Sequence, residues 1–154
     1  ATLGMEIVPL TGGDRATLEL LADRLRAGAV VPLLAERDLS ARGVEVTFFG
    51  RRTKMPAGPA ILALRTGAPM HVVHNWFEPG RPEGALSHEI VLTDTSGTFG
   101  DRVRRLTQMV ADEFAVGIAR HPVDWHMLGR MFLDDEPEPA PRASTMATAT
   151  PGSG

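Results

Sequence analysis

Leu18-Glu19-Leu20-Leu21-Ala22-Asp23-Arg24-Leu25-Arg26-Ala27-Gly28-Ala29-Val30-Val31-Pro32-Leu33-Leu34-Ala35 is the stretch that decides the fold class. Leu18, Leu21 and Leu25 recur at i, i+3 and i+7, the spacing of one buried helix face. Gly28 follows where a helix commonly ends in a left-handed residue. Val30 to Ala35 then predicts a buried strand. Upstream, Met5 to Leu10 predicts another short strand, and Thr11-Gly12-Gly13-Asp14 supplies a turn with Asp14 as the helix N-cap. Strand, helix and strand in succession imply an α/β domain, a layered mixed sheet flanked by helices with some parallel pairing.

Further along, Glu45 to Phe49 predicts a strand ended by Gly50, and Ala57 to Thr66 a helix that starts beside Pro56 and Pro59 and stops at Gly67. Pro69 to Phe77 reads as a strand, Gly80 to Gly84 as a loop, and Glu89 to Leu92 as a short strand. Between Gly100 and Arg120, Val103, Leu106, Val110, Phe114 and Ile118 keep helical spacing with charged residues between them. After Leu133 the composition turns to Pro, Ala, Ser, Thr and acidic residues. A domain over 1–133 and a disordered tail over 134–154 are therefore expected.

With 154 residues, 43% of them hydrophobic and 23% charged, the chain can bury one ordinary core. Its net charge of -3 lacks the basic excess of nucleic-acid-binding domains, so no nucleic-acid partner is expected. It contains no cysteine, which excludes disulfides, thiolate catalysis and cysteine-based zinc sites. The uncharged runs Ala27 to Ala35 and Thr66 to Phe77 fall short of the roughly 18 apolar residues of a spanning helix, so any membrane contact should be peripheral. The opening at Ala1, without a basic-then-apolar leader, is expected to be a cut through a longer protein.

Two clusters could carry chemistry. Glu36-Arg37-Asp38 follows an expected strand directly, at the kind of strand end where ligands gather in α/β sheets; a solvated, ion-paired strand exit is the other reading. Phe48-Phe49-Gly50-Arg51-Arg52-Thr53-Lys54 sets two aromatics, which alternation would send to opposite faces, beside three cations. That mixture suits an anionic headgroup or a coenzyme phosphate, with apolar neighbours for an acyl chain or the bilayer; a core Phe beside a solvated basic turn is the alternative. His71 and His74 should face opposite ways, which argues against a shared metal and for packing roles. His121 and His126 flank Pro122-Val123-Asp124-Trp125, a dock for the end of the long helix, and His88 has no evident partner. No metal site is expected. Hydrolase-elbow, phosphate-loop and dinucleotide patterns have no match.

Read together, Val31-Pro32-Leu33-Leu34-Ala35-Glu36-Arg37-Asp38-Leu39-Ser40, Gly43-Val44-Glu45-Val46, Phe48-Phe49-Gly50, Met55-Pro56-Ala57-Gly58-Pro59-Ala60 and His121-Pro122-Val123-Asp124-Trp125-His126-Met127-Leu128 resemble the phosphatidylinositol mannoside acyltransferases. Looser kinship is with the lipid A lauroyl and myristoyl acyltransferases. The resemblance covers Met5 to Leu133 and implies the C-terminal half of a glycerolipid-acyltransferase-like fold. It implies a peripheral enzyme on the cytoplasmic face of the cell membrane. Such an enzyme moves a fatty acyl group from acyl-CoA, a co-substrate rather than a bound cofactor, to a mannose hydroxyl of phosphatidylinositol mannoside.

The family's chemistry rests on a His-x-x-x-x-Asp motif. Five positions beyond the five histidines stand Trp76, Pro79, Thr93, His126 and Met131, so the motif is absent here. The resemblance assigns Glu36 a supporting place beside the missing histidine and gives Arg37 and Asp38 a holding or substrate-binding part. Phe48, Phe49 and Gly50 would shape the acyl or headgroup side, whereas Met55, Pro56 and Gly58 set a turn. The segment alone is therefore expected to be inactive. A lipid A type acceptor and a non-enzymatic lipid-binding module are the alternative readings.

Overall fold

The structure, a computed structural model, describes residues 4, 6–8, 16–38 and 42–135. Its elements in chain order are α1 (Thr17–Arg26), β1 (Val44–Phe48), β2 (Arg51–Met55), α2 (Gly58–Thr66), β3 (Val73–Glu78), β4 (Arg81–Leu86) and α3 (Phe99–Arg120), followed by a 3₁₀ turn over Pro122–Asp124. Mixed α and β content is as expected. The sheet is not: among the described residues there are two separate antiparallel hairpins, β1–β2 and β3–β4, and no parallel pair.

Helix α3 is the spine. Thr98 caps it, with its side chain accepting from the Asp101 N–H while the Asp101 carboxylate accepts from the Thr98 N–H at 2.8 Å. This reciprocal box fixes the first turn, and the Thr98 bonds hold the Asp101 carboxyl below its usual range. Along its length Val103, Leu106 and Val110 are buried, as their spacing predicts, while Phe114 and Ile118 are half-buried; Ala111 is buried beside them. Two cores form on this stripe. Near the N-terminus, Val103 and Leu106 pack with Ala60 of α2, Ile61, Leu64, Met70, Ile90 and Leu92. Farther along, Ala111, Phe114 and Ile118 pack with Val46 and Phe48 of β1, Met55 of β2, Trp125 and Met131. Burying side chains such as Phe48 and Met55 contributes about 1.5–3 kcal/mol each.

The first hairpin turns at Phe49-Gly50, both with positive φ (50° and 75°), the twist that matches a tight two-residue connection. Phe49 thus leaves the strand rather than taking its opposite face. The expected strand at Glu45–Phe49 is found one residue earlier, and its return strand β2 was not anticipated because Arg51-Arg52-Thr53-Lys54 lacks apolar alternation. Its buried members are Thr53, whose Oγ1 donates to the Met131 carbonyl at 2.5 Å, and Met55. Beyond β1, the other edge of β2 is occupied too: the Arg52 and Lys54 carbonyls accept from the Leu133 and Asp38 N–H groups.

α1 and α2 end where expected, at Gly28 and Gly67. α1 starts after Ala16, and Asp14 lies outside the described residues. Three further expectations are corrected. Val30 to Ala35 is not a strand, since no neighbouring strand pairs with it among the described residues; Val30 is 92% and Leu34 90% exposed. Gly80 to Gly84 is not a loop. The chain turns at Pro79-Gly80 and returns as β4, in register with a β3 that begins at Val73 rather than Pro69. Glu89 to Leu92 forms no strand; it is held by the packing of Ile90 and Leu92 and by a bond from the Ile90 N–H to the Met70 carbonyl. Of Met5 to Leu10, only Glu6, Ile7 and Val8 are described, and none is in a strand; Met5, Pro9, Leu10 and the tail from 136 onward lie outside the described residues.

Candidate active site around Glu36

Ala35 anchors the segment that carries the acidic cluster. It is buried in a narrow apolar crevice with Pro56, Pro59, Ala60, Thr107 and Val110, which has no room for a water molecule. The next three residues leave this anchor half-buried. Arg37 donates from Nη1 to the Leu128 carbonyl at 2.8 Å, tying the segment to the stretch after α3. Asp38 is held twice: its N–H reaches the Lys54 carbonyl at 3.2 Å, and its Oδ2 accepts the Gly43 N–H at 2.7 Å. At Gly43 a Cβ would lie 2.6 Å from the Met55 carbonyl and 2.7 Å from the Asp38 Cβ, so only glycine fits there.

Glu36 stands between these clamps. Its carboxylate has no hydrogen-bond or ion-pair partner among the described residues, whereas its two neighbours are engaged with the protein. Arg37 and Asp38 are thus each tied to the protein's own backbone.

In the aromatic and basic cluster one ring is buried and the other exposed, as expected, although Phe49 stands in the turn rather than on the strand. Phe48 is 1% exposed and belongs to the core; Phe49, at 44%, presents an aromatic face. Trp125 packs on both rings at 5.8 Å. The cations are engaged by the protein. Arg51 spans Asp134 and Asp135 at 2.8 and 2.7 Å and lies over the Phe132 ring, and Arg52 pairs with Glu45 at 2.6 Å. The Arg51 guanidinium lowers the Asp134 carboxyl below its ordinary range; Asp135 is lowered first by the Phe132 N–H and then by Arg51, and Glu45 is lowered by Arg52. Lys54 likewise has an interaction partner. These pairs link the two strands of the hairpin to each other and to the segment after α3.

Asp38 joins β2 at Lys54, while Phe49-Gly50 lies at the turn before Arg51, about 10 Å away along the strand. The two sequence-derived clusters thus lie toward opposite ends of one hairpin. The Trp125–Leu128 stretch links them, with Trp125 against Phe49 and the Leu128 carbonyl on Arg37. That bridge was invisible in the sequence, because a backbone carbonyl leaves no residue-type signal. Gly43 was also missed as a clamp.

Four of the five histidine rings have structural partners among the described residues, and His88 takes part only through its backbone carbonyl. His74, 12% exposed, meets Glu113 at 3.0 Å. Its ring lies on Gly117, where a Cβ would fall 1.7 Å from Nδ1. His71 Nδ1 meets the Ser87 carbonyl, and His121 stacks on Trp76 at 4.5 Å. His126 Nδ1 meets the Asp124 carbonyl, and the His88 carbonyl accepts from Ser87 Oγ. Among the described residues no group of histidine and carboxylate side chains could hold a metal ion, and no helix is long and apolar enough to cross a membrane.

Over 134 residues, 87% of this chain, the sequence is 51% identical to the phosphatidylinositol mannoside acyltransferase of two strains of Mycobacterium tuberculosis. It is 48% identical to the protein of that name from Mycolicibacterium smegmatis. The chain spans 40–42% of the length of these curated relatives. Residues 1–134 match the bacterial lipid A biosynthesis acyltransferases as a family. With that match over most of its length, and the Glu36 segment and its clamps inside it, the chain belongs to the bacterial lipid A biosynthesis acyltransferase family.

Proposed function

We propose that this chain is the Glu36-bearing part of a lipid acyltransferase that moves a fatty acyl group from acyl-CoA to a mannose hydroxyl of a phosphatidylinositol mannoside. The observation that carries the proposal is the 51% identity over 134 residues to a phosphatidylinositol mannoside acyltransferase. In this reaction a histidine outside the 154 residues takes the proton of the sugar hydroxyl, and the oxygen attacks the thioester carbonyl carbon. The new C–O bond forms, the C–S bond breaks, and the coenzyme A sulfur leaves with the proton returned by the imidazole. Glu36, half-buried and without a cationic partner among the described residues, accepts a hydrogen bond from that imidazole and stabilises its charged form. Phe49 lies on the acyl or headgroup side. The parent protein works as a peripheral enzyme at the cytoplasmic face of the membrane, and the segment alone, lacking the His-x-x-x-x-Asp pair, transfers nothing.

The test uses a chimera, the Mycobacterium tuberculosis relative with its matched residues replaced by residues 1–134 of this chain. Transfer of radiolabelled palmitate from its coenzyme A ester to phosphatidylinositol mannoside is expected from the chimera and not from the chain alone. Glu36→Gln should lower the rate by about 10²-fold or more at unchanged unfolding temperature. An undiminished rate would remove Glu36 from the site. The family description favours a second acceptor, a lipid A precursor, and offering both acceptors to the chimera distinguishes them.

A further inference from the structure

Directly opposed residues of a hairpin share a face, so His74, Trp76 and Glu78 of β3 lie on one side with Ala85, Glu83 and Arg81 of β4. His74 rests on Gly117, and Trp76 stacks on His121, the residue at which α3 ends. The hairpin therefore runs off the end of the helix. There Trp76, Glu78, Pro79, Arg81 and Glu83 line a wide-mouthed recess of about 570 Å³, within the roughly 300–1,000 Å³ of small-ligand sites. The Trp76 indole is oriented by its Nε1, which donates to Glu78 Oε1 at 3.1 Å, and Glu83 Oε1 meets Arg81 Nε at 2.6 Å. The Oε2 atom of each glutamate has no partner among the described residues.

Two carboxylates against one guanidinium, beside the negative end of a long helix, favour a ligand that donates hydrogen bonds and disfavour a phosphate. Charged walls also disfavour an acyl chain. A sugar ring meets both demands: its C–H face packs flat on an aromatic ring, and its hydroxyls donate to carboxylates. We propose that this recess is a sugar subsite. Resting on the acyltransferase reading above, its occupant is a ring of the acceptor glycan other than the one acylated beside Glu36. One stretch of chain joins the two places. Asp124 Oδ2 accepts the Phe77 N–H, and Leu128, whose carbonyl holds Arg37, follows four residues later, at most about 14 Å of chain. The remote ring holds the acceptor while its reacting hydroxyl is aligned beside Glu36.

Two measurements test it. In NMR titrations of the 154-residue chain, methyl α-mannoside and α-mannobiose should move the Glu78, Arg81 and Glu83 amides saturably and leave the Phe49 and Gly50 amides in place. Glu83→Gln breaks only an exposed ion pair of the fold. It should weaken sugar binding about tenfold by removing a charged acceptor. In the chimera described above, the same change should raise KM for phosphatidylinositol mannoside by a similar factor and leave KM for palmitoyl-CoA where it was. Mannosides that move none of the three amides overturn the proposal, as does equal movement by glycerol, which has hydroxyls but no ring. Larger movement by inorganic phosphate or coenzyme A overturns it in favour of an anion site. An active chimera whose acceptor KM ignores Glu83→Gln overturns the assignment to the acceptor. A chimera that transfers nothing, beside amides that respond to mannosides, removes the proposed reaction and keeps the sugar site.

Discussion

At the scale of single residues, contact geometry gives roles that residue type alone did not. His74 was expected to pack, and it does, but its dependence on Gly117 could not be read because the two lie 43 positions apart on different elements. Gly117→Ala must push the imidazole off the helix and break its contact with Glu113, costing about 1–3 kcal/mol of stability in urea unfolding. In a His74→Ala background the same change should cost much less, since the colliding ring is gone; equal costs in both backgrounds would rule out this account. Glu36 was legible as a candidate because a charged triplet follows an apolar run. That Arg37 and Asp38 are committed to Leu128 and Gly43 was not, since one partner is a backbone carbonyl and the other a backbone N–H.

Among elements, those with helical periodicity were legible almost to the residue. Their signals are local: Leu18, Leu21 and Leu25 on α1, the Pro and Gly brackets of α2, and the apolar stripe of α3. Hairpins were not, because β2 and β4 draw their stability from partners. Arg51 to Met55 is held by β1 on one side and by Asp38 and Leu133 on the other, and none of those partners marks its own sequence. Conversely, Val30 to Ala35 has strand composition and no pairing among the described residues. The capping box at the head of α3 gives an element-scale prediction. Thr98→Ala should lower stability by about 1 kcal/mol by removing the acceptor for the Asp101 N–H, measured by thermal unfolding, while Thr95→Ala serves as an exposed control near zero.

For the whole molecule, the two cores share α3, and the segment after it returns across β2 to close the structure. Carboxylates add to that closure and to the hairpin beneath it. Glu45, Asp134 and Asp135 all have lowered folded pKa values, so their contribution is fully present above the ordinary carboxylate range near pH 4 and is lost as pH falls through the lower folded values. Unfolding midpoints should therefore be insensitive to these groups at neutral pH and should fall in acid. Arg51→Gln should weaken that acid dependence without removing it, since Asp135 also accepts the Met131 and Phe132 N–H groups. An acid limb identical in the variant would show that Arg51 does not contribute. The two tryptophans of the chain fall one to each hairpin: Trp76 lies on β3 against His121, and Trp125 covers the β1–β2 turn. Each indole is thus a separate optical channel, so single-tryptophan variants can time by fluorescence whether one hairpin settles on the shared helix before the other.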